Sequence, residues 1–392
     1  SYRAPAADTA VAVARAVEAL HRLAGSNETT VEPLVDGREV FPAVKSMLRS
    51  AERSIKVAMS LLGEQEILDL LVAKARAGVR VQLILDPGEH AAPAKQAQIE
   101  ALAASGVEVT MYPVEHLPRV PQTHAKYHPK YLVVDDERCI LGGMTWNLFA
   151  RDHVRDIDLR VTGAPVRELA RGFERDWAFA RRPSGAPPPS PEQPVAGGAA
   201  LGVDFLLESP AIKQALLDDI QAARHSIHVE MFILEHPDII AALLKARERG
   251  VEVQILINRF QGFWEVANTA AVHELREHGA EVRWFDTPGE EMMHTKLALF
   301  DGRRAQLGSA NWTAGGLESN REANVATDDV RTTQQLERTF RRHWQESSIA
   351  IDVPPWLDAL AHDAMNRLRE HPTLLRVVAN TLTPLAELLQ RL

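Results

Sequence analysis

The sequence has a single cysteine, Cys139. That excludes an internal disulfide framework and leaves a cysteine-based zinc site without ligands. No apolar run approaches the ~20 residues that a bilayer-crossing helix needs. Positive charge is also scarce: 44 Lys and Arg stand against 53 Asp and Glu, a net charge of −9. This counts against nonspecific binding to a phosphate backbone, unless a local basic cleft provides it. The chain opens on Ser1 rather than methionine, which is compatible with a signal or anchor removed upstream. What remains is ordinary globular composition, with 45% apolar and 25% charged residues. A length of 392 residues suggests two or three domains or one two-lobed unit.

The chain repeats itself once. "AERSIKVAMSLL" (51–62) and "AARHSIHVEMFIL" (222–234) each follow an amphipathic stretch and run into alternating apolar residues, a half-buried strand signal. "ILDLLVAKARAGVRVQLILD" (67–86) and "IIAALLKARERGVEVQILIN" (239–258) each read as helix, glycine stop and strand, with Gly78 and Gly250 matching. "LAASGVEVTMYP" and "LREHGAEVRWFD" then repeat helix end, glycine and strand. Such alternation predicts an α/β fold of two homologous α/β/α lobes with mixed, largely parallel sheets, related by a pseudo-two-fold. The expected divisions are an N-terminal helical segment over 1–29, a first lobe over 30–180 and a Pro/Gly-rich linker over 181–199. A second lobe over 200–348 and a C-terminal helical extension over 349–392 complete the chain.

The candidate chemistry sits at matched positions. The first copy carries His128, Lys130 and Asp135 in "HPKYLVVD"; the second carries His294, Lys296 and Asp301 in "HTKLALFD". Residues i and i+2 of a strand share a face, so imidazole and ammonium point into one pocket. A turn and a returning strand lead to Gly142 and Gly143 in one copy and Gly308 and Ser309 in the other. Small residues there let backbone approach a ligand. Asp156 and Glu322 follow their histidines at the same interval. A carboxylate so placed accepts from an imidazole nitrogen and fixes its tautomer. Two histidines and two lysines gathered in one pocket suit an anionic phosphodiester: one histidine attacks phosphorus, the other protonates the leaving oxygen. The lysines stabilise the charge on the transition state, and no metal or other cofactor is called for. Asp135 and Asp301, at the ends of buried strands, are expected to hold a turn or an ion pair. "HAK" (124–126) is a chance HxK, because Tyr131 stands where an aspartate would be needed.

Two copies of HxKx4D with glycines in register resemble the HKD motif of the phospholipase D superfamily, whose pattern continues into GSxN or GGxN. The second copy fits through Asn311; the first fits through "GGM" and then has Thr145 in the asparagine's place, with Asn147 two residues on as a substitute donor. The resemblance covers about 30–348 and is closest to the bacterial cardiolipin synthase-like branch. It implies an interlobe site, a covalent phosphohistidine and no metal. It assigns the nucleophile to His128 and the acid to His294, although the residues alone serve either order. It supports Asp156 and Glu322 as partners of the histidines. Asn311, Thr145, Asn147, Ser309, Gly142 and Gly143 are the expected phosphate-binding set.

Members of that superfamily act on lipids or nucleic acids, so substrate is argued separately. The acidic net charge favours a phospholipid, by hydrolysis or by phosphatidyl transfer, over the alternative of DNA or RNA. Phe260, Phe263 and Trp264 in "NRFQGFWEV" follow a strand's C-terminal end and are candidates for acyl-chain contact. The apolar stripe of 373–392 either docks on protein, the preferred reading, or lies in a bilayer interface. The expected state is a monomer with peripheral membrane contact, in a bacterial membrane-associated or secreted setting.

Overall fold

The structure, a computed structural model, describes residues 29–120, 124–182, 202–258, 263–285 and 291–349. The expected helix before residue 29, nearly all of the Pro/Gly-rich linker, Phe260 and the C-terminal stripe lie outside them. Phe263 and Trp264 begin the helix Phe263–Glu277, but their side chains also lie outside the described set.

The first sheet contains β1 (Thr30–Val35), β2 (Ser54–Met59), β3 (Arg80–Leu85), β4 (Glu108–Met111), β5 (Lys130–Val134), β6 (Arg138–Gly142) and β8 (Ile157–Thr162). Its spatial order is β1-β8-β6-β5-β2-β3-β4. β7 (Val154–Arg155) lies apart from it. The second sheet contains β9 (Val203–Leu206), β10 (Ser226–Met231), β11 (Glu252–Asn258), β12 (Glu281–Phe285), β14 (Lys296–Phe300), β15 (Arg304–Gly308), β16 (Asn324–Thr327) and β17 (Ser348–Ile349). Its order is β17-β12-β11-β10-β14-β15-β16-β9. In each lobe three parallel strands, β2-β3-β4 or β10-β11-β12, are flanked by an antiparallel run that carries the histidine motif. β1 to β4 and β6 all point one way in the first sheet; β5 and β8 point the other.

The strand patterns explain this layering. Ile55, Val57 and Met59 of β2 face an outer core, while Ala58 faces the centre. β10 repeats the arrangement with Ile227, Val229 and Met231. The central core draws Tyr127, Tyr131, Val133 and Phe173 from one lobe and Leu297, Leu299, Leu336 and Phe340 from the other. The helices Val166–Ala180 and Val330–Glu346 pack into it. Sharing one apolar core fixes the lobes face to face, because burying apolar area is the dominant favourable term in folding. Gly78 and Gly250 stop their helices at φ 87° and 86°, the left-handed region that a Cβ disfavours.

Backbone also crosses between the lobes. β7 pairs in parallel with β13 (Met292–Met293), and Tyr127 bridges to Arg321. These crossings are pseudo-symmetric, and each lies next to a motif histidine.

Candidate active site

Lys130 opens β5 and Lys296 opens β14, each opposite the last residue of a central strand, Met59 or Met231. The histidines stand two residues earlier, at the strand entries. The backbone of each is held by the other lobe. The His128 amide donates to the Arg321 carbonyl at 2.8 Å, and the His294 amide donates to the Arg155 carbonyl at 2.8 Å. The imidazoles follow the same rule. His128 Nδ1 lies 2.9 Å from Glu322, and His294 Nδ1 lies 2.8 Å from Asp156 Oδ2. Each histidine is thus oriented by a carboxylate of the opposite lobe, a pairing that matched spacing within each copy does not reveal. Lys130 Nζ donates to the His128 carbonyl at 2.7 Å. Lys296 Nζ donates to the His294 carbonyl and lies 2.8 and 2.9 Å from the two ring nitrogens.

The two arms differ. Glu322 accepts from His128, from Ser309 Oγ at 2.5 Å and from Asn320 Nδ2 at 2.9 Å. Asp156 Oδ2 lies against His294 Nδ1, and Asp156 Oδ1 accepts the Ile157 amide at 2.9 Å. Gly143 and Val154 stand where the first arm would need the counterparts of Ser309 and Asn320. Burial works against the Glu322 charge, but His128, Lys130 and Ser309 outweigh it and hold the carboxyl below its usual range. Burial pushes Asp156 well above that range; Lys296 opposes the rise and Asp158 adds to it. Burial lowers both imidazoles, His294 further because Lys296 and Lys130 add their charge. Burial also lowers Lys130 to about 8 and Lys296 to about 7. An anionic phosphate would stabilise both ammonium forms.

Asp135 and Asp301 do not face the pocket. They turn their chains at φ 56° and 52°. Asp135 accepts the amides of Glu52, Arg53 and Ser54, and Asp301 accepts those of Arg224, His225 and Ser226. Each therefore pins the turn of its hairpin to the start of a central strand.

The glycine turns need correction. A Cβ at Gly142 would lie 1.9 Å from Asp158 Oδ1, and one at Gly143 would lie 2.5 Å from the Asp156 carboxylate. These glycines make room for acidic side chains, where approach of a ligand was expected. The Ser309 hydroxyl is fully buried against Glu322 and so braces a carboxylate, where phosphate contact was expected. Asn147 is a helix cap: Oδ1 accepts the Ala150 amide at 2.8 Å, and Nδ2 donates to Thr145 Oγ1 at 3.2 Å. It is tied down as a cap, where a substitute phosphate donor was expected. Thr313, its counterpart, accepts the Gly316 amide at 3.0 Å. Between them, Trp146 and Trp312 are buried and pair with Leu62 and Leu234. Thr145 and Asn311 are left half-buried at equivalent places. The Asn311 side chain makes no hydrogen bond among the described residues, and its Oδ1 is buried.

Other residues were not singled out by the sequence pattern. Phe232 tilts over His294 with ring centroids 4.8 Å apart and lies 5.2 Å from Lys296 Nζ. It lies just past the end of β10, and only the tertiary fold brings it to the motif. His124 is exposed, and Lys126 pairs with Glu89. Three arginines near the motifs are paired with acids: Arg151 with Asp152, Arg155 with Asp36 and Glu291, and Arg304 with Asp219 and Asp328. Arg155 also lines a mixed-charge cleft of about 840 Å³ with Arg38, Arg338, Arg342, Glu39 and Glu346.

The family model described as "Cardiolipin synthase, PLD-like domain" matches residues 44–177 and 216–344. A probable cardiolipin synthase of Bacillus subtilis is 25% identical over 343 residues, covering 82% of this chain and 67% of the relative. A cardiolipin synthase of Halalkalibacterium halodurans is 29% identical over 330 residues, 78% of this chain and 64% of that one. The chain thus spans about two thirds of the length of these relatives. Among solved structures, phosphatidylserine synthase of Haemophilus influenzae superposes with TM-score 0.67 at 14% identity, covering 89% of this chain and 94% of that one. At that identity the likeness is one of fold.

Proposed function

The chain belongs to the phospholipase D superfamily, in its cardiolipin synthase-like branch, and from that premise we propose that it is a metal-independent phosphodiesterase acting on phospholipids. His128 Nε2 attacks phosphorus, the bond to the leaving oxygen breaks, and His294 Nε2–H protonates that oxygen. Water or a lipid hydroxyl then gives its proton back to His294 as it displaces the histidine. The outcome is hydrolysis in the first case and phosphatidyl transfer in the second. Lys130, Lys296 and Asn311 meet the charge on the phosphoryl oxygens. No step calls on a metal.

The observation that carries this reading is the doubled cross-lobe pair. Two imidazoles, each with Nδ1 against a buried carboxylate, present two Nε2 atoms to one substrate, with Lys296 against the His294 ring and Lys130 on the His128 carbonyl. The relatives' names favour a lipid substrate, and the acidic net charge agrees. No described helix is long and apolar enough to cross a membrane. The proposed enzyme would meet its substrate at a bilayer surface. The test is incubation of purified protein with phosphatidylglycerol, phosphatidylcholine or single-stranded DNA in the presence of a chelator. Phosphatidic acid or cardiolipin is the expected product, abolished by His128→Ala. Cut DNA without lipid turnover would overturn the assignment.

A further inference from the structure

Asp158 makes the site unequal in a way that the fold does not require. It follows His128 at the interval by which Asn324 follows His294. The two side chains do the same structural work. Asp158 Oδ1 accepts the Met144 amide at 3.2 Å, and Asn324 Oδ1 accepts the Ala310 amide at 3.2 Å. A neutral amide oxygen is therefore sufficient for the turn. At that contact the Asp158 carboxylate adds a charge, and it also accepts the Gly143 amide, where the matching Ser309 amide in the other lobe donates to the Ala323 carbonyl.

That charge is in a buried place. Asp156, Asp158 and Glu322 are each 1% exposed, and Lys130 and Lys296 are buried with them. Three buried carboxylates thus accompany two buried ammoniums and the two histidines, while Glu89 and Lys126, an ion pair of their own, act on Lys130 from outside the buried set. The surplus negative charge sits on the arm with the weaker carboxylate support, since Asp156 has neither the hydroxyl nor the amide donor that Glu322 enjoys.

We propose, on the phosphodiesterase reading above, that Asp158 is a positioning residue that keeps a second proton on the Asp156–His294 pair and so makes that pair the proton donor. The His128–Glu322 pair then holds one proton, on Nδ1, and its Nε2 lone pair is free to attack. The Asp156–His294 pair holds two, one on Nε2 and one shared between Nδ1 and the carboxyl. When the P–N bond to His128 forms and the P–O bond breaks, the Nε2 proton of His294 goes to the departing oxygen. The shared proton settles on Nδ1, and the pair is left with one. The incoming hydroxyl restores the second proton as the P–N bond breaks. Burial and Lys296 already disfavour an imidazolium at His294. Burial, and to a lesser degree the Asp158 charge, raise Asp156 and so favour the proton on the carboxyl side; Asp158, itself pushed up to about 7 by burial, carries that charge above neutral pH.

The test is Asp158→Asn in the full chain, read on two substrates. With phosphatidylglycerol, whose alkoxide leaves only when protonated, kcat/KM at pH 8 should fall about tenfold, as a one-unit change in proton affinity implies. With a p-nitrophenyl phosphodiester, which needs no acid, the rate should stay within about twofold. Equal loss on both substrates, or no loss on either, would overturn the proposal. A change at Lys296 alone would affect both substrates and so falls on the overturning side. Nitrogen-15 spectra of the histidines give a reading independent of turnover: the His294 pair should release its second proton about one unit lower in the variant, and an unchanged titration overturns the proposal. A wild type inert towards every phosphodiester would instead sink the functional reading. The reciprocal Asn324→Asp should slow the nucleophilic arm on both substrates; a loss confined to phosphatidylglycerol would contradict the division of labour.

Discussion

His128 Nδ1 lies 2.9 Å from both carboxylate oxygens of Glu322, a residue 194 positions away in the other lobe. His294 and Asp156 repeat the relation in the opposite direction. Neither lobe supplies both members of either motif pair, so the site exists only where the lobes meet.

This crossing predicts different losses on the two arms. Glu322→Gln removes the anion that holds the nucleophile's tautomer and should lower kcat by roughly 10²–10⁴. The loss should appear with alkyl and p-nitrophenyl phosphodiesters alike, because bond formation by His128 is common to both. Asp156→Asn should slow the alkyl substrate far more than the activated one. Single-turnover phosphoenzyme formation on both substrates measures the difference, and identical profiles would refute it.

The buried lysines predict the pH dependence. Lys296 is lowered to about 7 and Lys130 to about 8, burial being the larger cause for each. An ammonium is charged below its pKa and loses that charge as pH rises through it. In the free enzyme kcat/KM should therefore decline from about pH 7 upward. Bound phosphate favours the charged forms, so the decline in kcat should begin at higher pH. A flat kcat/KM between pH 7 and 9 would show that neither ammonium is needed.

Asp135 and Asp301 belong to stability rather than to chemistry. Each shapes its hairpin turn with a positive φ and accepts three backbone amides from the segment that leads into a central strand. Replacement by Ala leaves those donors short of an acceptor and keeps an unfavourable φ, at a cost of about 1–3 kcal/mol each. Thermal melts should show the loss, while kcat measured well below the melting point should hold.

The repeat, the strand-helix grammar and the two HxK sites were legible because they depend on local spacing. Period two places His128 with Lys130, and a glycine stop marks each helix end. What spacing within one copy does not carry is which lobe supplies a partner. Glu322 and Asp156 were named as histidine partners, but their exchange across the interface is a property of tertiary packing. The same holds for Phe232, which reaches His294 only because β10 lies beside β14. Spacing makes Asn147 a substitute donor, but it does not show that the helix Leu148–His153 starts at the next residue and takes the side chain as its cap. Gly142 and Gly143 suggest room for a ligand because the carboxylates that fill that space come from β8 and the residue just before it.

Thr145 and Asn311 give the last test. They occupy equivalent places, yet Thr145 Oγ1 already accepts from Asn147, while Asn311 has no hydrogen-bond partner among the described residues. An amide held half-buried and unpartnered can bind a phosphoryl oxygen without first breaking another contact. A hydroxyl whose oxygen is engaged offers only its single hydrogen. Asn311→Ala should therefore lower kcat/KM by roughly 10²–10³, the loss typical of one donor to a developing oxyanion. Thr145→Ala should cost about tenfold or less. Thr145→Asn would place a longer amide against Asn147, disturbing the cap of Leu148–His153, and should reduce activity rather than raise it. Equal losses for the two alanine variants would mean that the lobes share the phosphate evenly, contrary to the geometry.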